Sequence, residues 1–92
     1  MTRTILNRTE RFTLLSWGHG TAYGLSRLEA GVPVESVFVQ GDDATVFDME
    51  FRAMEAQFPE RDTDDILGWL WSSYNELATP VIVTARQVWE IN

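Results

Sequence analysis

His19 is the only imidazole in the sequence, and Ser16 stands three residues before it. Serine and histidine are the nucleophile and base of acyl transfer. That chemistry also needs an orienting third group and an oxyanion site, and nearness in sequence supplies neither. Flanking glycines, Gly18 and Gly20, place His19 in a solvent-facing turn. The same glycines with Gly24 lack the spacing of a phosphate-binding loop, and no lysine completes one. Asp62, Asp64 and Asp65 resemble the opening of a calcium loop. Ile66 and Leu67 then stand where further oxygen ligands and a glycine are needed, so no metal site is expected. Asp42 and Asp43 form a carboxylate pair of the kind used in acid–base work, but neighbouring acids serve equally well at a helix start. The chain has no cysteine, which removes thiolate chemistry, disulfides and cysteine-held zinc. It has no lysine, which removes Schiff-base chemistry. No catalytic residue and no cofactor are expected.

The elements that carry these residues follow from periodicity. Residues 1–9 are polar and read as irregular. Residues 11–17 alternate, with Phe12, Leu14 and Ser16 on one side and Thr13, Leu15 and Trp17 on the other, which predicts a strand. The glycine turn follows. Residues 22–28 read as a second strand or as a short helix closed by Gly31. Gly31-Val32-Pro33 is the next turn, and residues 34–40 form a third strand, with Phe38 facing away from Val37 and Val39. Gly41 ends the sheet, and Asp42 or Asp43 is expected to cap a helix. Inside it Phe47, Phe51, Met54 and Phe58 form one narrow stripe, and Pro59 stops it. Asp62 or Thr63 caps a second helix lined by Ile66, Leu67, Leu70, Tyr74 and Leu77. The β-branched tail from Val81 to Ile91 is a candidate fourth strand. The fold class is α+β: a three- or four-stranded antiparallel meander with two helices packed on one face.

Ninety-two residues fit a single domain, 1–92, and an apolar fraction of 45% supports a real core. No apolar run is long enough to span a membrane, and the first residues lack the apolar stretch of a signal peptide. The chain reads as a complete short gene product located in the cytoplasm. Fourteen acids face seven arginines, a net charge of −7, which argues against free DNA binding. The charge is uneven. Residues 1–28 hold Arg3, Arg8, Arg11 and Arg27 against Glu10, a balance of +3, and the remainder carries −10.

Two groups of residues exceed what core and capping need. Trp69 lies away from the stripe of its helix, Trp71 lies at its edge, and Met49 points away from Phe47 and Phe51. Aromatic side chains left outside a core are enriched at interfaces. Asp42, Asp43, Glu60, Asp62, Asp64 and Asp65 form an acidic set at two helix starts, suited to basic surfaces that hold nucleic acid. With Trp69, Arg3, Arg8 and Arg11, these are the expected partner-binding residues.

A short acidic chain with a meander, two helices and no catalytic set resembles small phage-encoded anti-CRISPR proteins directed at multi-subunit type I effectors. The stretches Val37-Phe38-Val39-Gln40-Gly41-Asp42-Asp43-Ala44 and Ile66-Leu67-Gly68-Trp69-Leu70-Trp71 are similar to small phage and bacterial reading frames. The resemblance implies an inhibitor, present in the cytoplasm of an infected bacterial host, that binds a CRISPR surveillance complex and blocks target DNA. Its acids would enter a basic channel, and its arginine-rich N-terminal part would touch guide RNA or an acidic subunit. The alternative is a small structural or adaptor domain of a bacterial family, as a homodimer joined through Phe38 or Trp69. A small hydrolase or metal enzyme acting through His19 or through Asp64 and Asp65 is a third reading.

Overall fold

The structure, a computed structural model, describes residues 3–76, 81–84 and 88–89. In chain order the elements are β1 (Arg3–Arg8), β2 (Phe12–Trp17), β3 (Ala22–Glu29), β4 (Val32–Gln40), α1 (Asp42–Gln57), α2 (Thr63–Glu76) and β5 (Val81–Thr84). The strands form one antiparallel sheet in sequential order, β1-β2-β3-β4-β5. The α+β meander with two helices on one face is thus the observed architecture. Residues 22–28 take the strand rather than the helix, and the tail contributes β5 over Val81–Thr84.

Three local expectations are corrected. Residues 3–8 are a strand, not an irregular segment, because the backbone of β2 offers a ladder that polar side chains need not oppose. A register shift between Ile5 and Asn7 bends that ladder. The turn after β3 is Ala30-Gly31, both at positive φ, while Val32 and Pro33 already belong to β4. Gly41 is the N-cap of α1, with no side-chain cap, so Asp42 and Asp43 act only as first-turn charges. Asp62 does cap α2, its Oδ1 accepting the Asp65 amide at 2.9 Å. Leu77 lies outside the described residues.

The period-two pattern of β2 splits the core between the two faces of the sheet. On one face Phe12, Leu14, Tyr23, Leu25, Val37 and Val39 meet Ala44 and Phe47 of α1 and Ile66, Leu67, Leu70 and Tyr74 of α2. Phe51 and Met54 pack against this cluster, so most of the narrow stripe does face inward. The helices run antiparallel: Phe47, near the start of α1, meets Tyr74, near the end of α2, at 5.3 Å between ring centroids. At the other end Phe58 meets Trp69 edge-on at 5.2 Å. On the second face of the sheet Leu15, Trp17 and Ala22 are buried with Val88, and Phe38 and Trp89 pack against them. The buried hydroxyls of Ser26 and Ser36 pair at 2.7 Å, and the Trp89 indole N–H donates to Ser26 Oγ at 3.0 Å. Arg3 lies over the Trp89 ring and donates to its carbonyl oxygen.

Burial, reinforced by the negative charges of Glu50 and Asp43, pushes the Tyr74 hydroxyl up to about 12. Burial and a hydrogen bond to Asp48 raise Tyr23 as well. An unfolded tyrosine ionises near pH 10. The stabilisation from a neutral, buried Tyr74 is therefore complete below about pH 10 and is lost as pH rises towards 12. Urea midpoints measured between pH 8 and 12 are expected to fall across that window, and Tyr74→Phe to flatten the fall. An unchanged slope in the variant would show that Tyr74 is not the group responsible.

Candidate functional site

The residues singled out by type do not converge. His19 sits at the exposed tip of the β2–β3 turn in the left-handed region, φ 56°, and makes no hydrogen bond or ion pair among the described residues. Ser16 is buried at the end of β2. Both border a groove of about 980 Å³ between the β1–β2 ladder and α1, whose far wall carries Phe51 and Arg52. Asp48 also reaches this groove. Its two carboxylate oxygens are already used, one accepting from the Tyr23 hydroxyl at 3.1 Å and the other from Arg52 Nε at 2.9 Å. Serine, histidine and aspartate thus share a groove without the chain of hydrogen bonds that moves a proton. Among the described residues no three of His, Asp and Glu converge as a metal site.

The acidic set is divided in two. Antiparallel helices put Asp42 and Asp43 at one end of the helical layer and Glu60, Asp62, Asp64 and Asp65 at the other. The separation is about 24 Å, the length of the 16-residue α1 at ~1.5 Å per residue. Several members are also occupied within the fold. Asp62 is the cap already described, and Asp65 faces Arg61 at 4.0 Å. Asp64 ties α2 to the β1–β2 turn: Oδ1 accepts from the Thr9 hydroxyl at 2.6 Å and from the Arg11 amide at 3.2 Å, and Oδ2 pairs with Arg11 Nε at 2.6 Å. Asp42, Asp43 and Glu60 remain exposed. Of the arginines, Arg11 is held by Asp64 and Arg3 by Trp89. Arg8 is exposed and makes no ion pair among the described residues.

Burial pushes the Asp64 carboxyl up, but the hydrogen bonds from Thr9 and from the side chain and backbone of Arg11 outweigh it, so the group titrates below the usual aspartate range. The stabilisation is complete above the unfolded value of about 4 and is lost as pH falls through the lower native value. Asp64→Ala is expected to cost about 1–2 kcal/mol at neutral pH, since charged hydrogen bonds are lost but the Arg11 side chain is 55% exposed and screened. Urea melts at pH 7 and pH 3 check this, and an equal cost at both would discard the electrostatic account.

Of the surplus hydrophobes, Phe38 is not free. It meets Trp17 edge-on at 5.5 Å on the second face of the sheet. Trp71 packs against Phe12, with ring centroids 6.1 Å apart. Trp69 remains 38% exposed, with Phe58 against its edge and the Arg61 guanidinium 5.9 Å from its ring. Met49 is 65% exposed and Val46 48%. Val46, Met49, Ala53 and Ala56 recur at i, i+3, i+7 and i+10, so α1 carries a second apolar line on its solvent side. The same helix holds Asp42, Asp43, Asp48, Glu50 and Glu55 against Arg52 alone. Sequence reasoning found Met49 but missed this line, because alanines at two of its four positions give a weak periodic signal.

Compared with protein-family models, curated proteins and solved structures, the chain matches none. Among the described residues no helix is long and apolar enough to cross a membrane.

Proposed function

We propose that this domain acts by non-covalent binding to a macromolecular partner and not by catalysis. The observation that carries this reading is the solvent face of α1, where exposed Val46 and Met49 stand on a helix with five carboxylates and one arginine. An apolar line with a one-signed charged border is the composition of a protein-binding surface, in which charge steers the encounter and apolar contact holds it. The groove beside His19 has no comparable support as a reaction site, since Asp48 already bridges Tyr23 and Arg52 and neither Asp48 nor Glu55, the groove's other carboxylate, is hydrogen-bonded to His19.

In the specific form implied by the sequence resemblance, the partner is a multi-subunit type I CRISPR surveillance complex, and the domain blocks its target DNA. The support is the net charge of −7 together with the exposed acids of α1. Arg8 is the arginine best placed to touch guide RNA, since Arg3 and Arg11 are engaged inside the domain. Co-purification with such a complex, and loss of target-DNA binding in a gel shift, are the expected results. Absence of association at micromolar concentrations would exclude this form.

The second reading, a homodimer, is favoured by one different observation. β1 is an edge strand with Ile5 51% and Leu6 47% exposed, and exposed edges pair readily. Sedimentation separates the two. A dimer disrupted by Leu6→Lys supports the homodimer, and a strict monomer removes it.

A further inference from the structure

We infer that the outer face of α1 is a docking surface for a cationic amphipathic helix of a partner protein. This inference rests on the binding reading above and names the chemistry of the partner. Val46, Met49, Ala53 and Ala56 mark a line about 15 Å long, at ~1.5 Å per residue over ten residues. All four are exposed, and the line they form runs on the side of α1 away from the core centred on Ala44, Phe47 and Phe51. The two alanines are small enough to let a second helix approach closely at one end, while Met49 and Val46 supply apolar contact at the other. Methionine suits such a role because its unbranched side chain adapts to its partner.

Charge selects the occupant. Around the helix, Asp43 and Glu50 stand on one side of the apolar line with Asp42 at its head, and on the other side Arg52 stands between the line and Asp48 and Glu55. Asp48 is partly neutralised by Arg52, and Asp42, Asp43 and Glu55 are exposed. A second copy of this chain would bring the same carboxylates against one another, and like charges across an interface oppose association. A nucleic-acid backbone would be repelled for the same reason. A helix with an apolar strip bordered on one side by arginine or lysine satisfies both the line and its acidic flank of Asp42, Asp43 and Glu50, and this helix-in-groove mode reads anchors at helical spacing.

The test uses the full chain and a fluorescent 18-residue helical peptide with leucines on one face and arginines beside them. Anisotropy titration is expected to show saturable binding that weakens tenfold or more between 50 mM and 300 mM salt. Met49→Glu separates apolar docking from charge alone. It adds a negative charge, so pure attraction predicts tighter binding, whereas contact along the line predicts at least tenfold weaker binding. Glutamate is a good helix former at an exposed site, so the fold is kept, and circular dichroism checks it. Val32→Glu, at an equally exposed apolar position on the sheet, should leave the affinity unchanged. Binding that is unaltered or strengthened by Met49→Glu overturns the inference. So does equal binding of a peptide with the same composition scrambled around the helix, or a self-association that Met49→Glu abolishes. A natural partner captured equally well by the Met49→Glu protein would leave the binding reading standing and reject this face.

Discussion

Phe47→Ala is expected to destabilise the domain by about 3–5 kcal/mol, the usual cost of removing a fully buried aromatic side chain. Phe47 is 1% exposed and is the point where the sheet and both helices meet. Its ring stacks on Tyr23 of β3 at 5.2 Å with an interplanar angle of 27°, and contacts Tyr74 of α2 at 5.3 Å. Removing it leaves a cavity between the sheet and both helices, and neither tyrosine can close it freely. Tyr23 is tied through its hydroxyl to Asp48, one residue along α1. A chain of this size has a total stability of roughly 5–14 kcal/mol, so the loss takes a large part of it. Phe47→Leu, which keeps most of the volume, is expected to cost only about 1–2 kcal/mol. Urea denaturation of the two variants reads the difference. A cost below about 1 kcal/mol for the alanine variant would mean that the ring is not part of the core.

The position of Phe47 was legible before the structure was known. Its spacing with Phe51 and Met54 belongs to a helical face, and Pro59 marks where that face must end. The alternation in β2 and the cap at Asp62 were legible for the same reason: each is a local pattern, set by neighbours within a few residues. β1 was not legible, because Arg3-Thr4-Ile5-Leu6-Asn7-Arg8 has no apolar alternation and is a strand only through its pairing with β2. Phe38 does face away from Val37 and Val39, as the alternation of its strand implies, but its partner was hidden, since Trp17 meets it from another strand. The acids show the same limit at the candidate site. Their types and helix starts were readable. Their separation was not, because it follows from how α1 and α2 pack, and the engagement of Asp64 depends on Thr9 and Arg11, more than fifty residues earlier.

Gly24 is the strongest case of a role set by distant residues, and it carries the second large effect. A side-chain carbon built on Gly24 would lie 2.8 Å from Val88 Cγ1 and 3.1 and 3.2 Å from the Trp17 ring. Alanine is ordinarily better than glycine within a strand, by roughly 0.5–1 kcal/mol. Here that gain is outweighed. Trp17 and Val88 are both fully buried, and overpacking of this kind costs about 1–3 kcal/mol or more. The ring cannot yield without disturbing Phe38, so Val88 must lift from the sheet. Trp89 is the next residue, and lifting Val88 pulls its indole N–H away from Ser26 and its ring away from Arg3. Gly24→Ala is therefore expected to lower stability and also to speed exchange of the Trp89 indole proton, with Gly24→Val doing both more strongly. Val88→Ala removes the offending methyl groups, so combining it with Gly24→Ala should cost less than the two single changes together. Additive losses, or a Trp89 proton that exchanges no faster in Gly24→Ala, would place the Val88–Trp89 segment somewhere other than over β3.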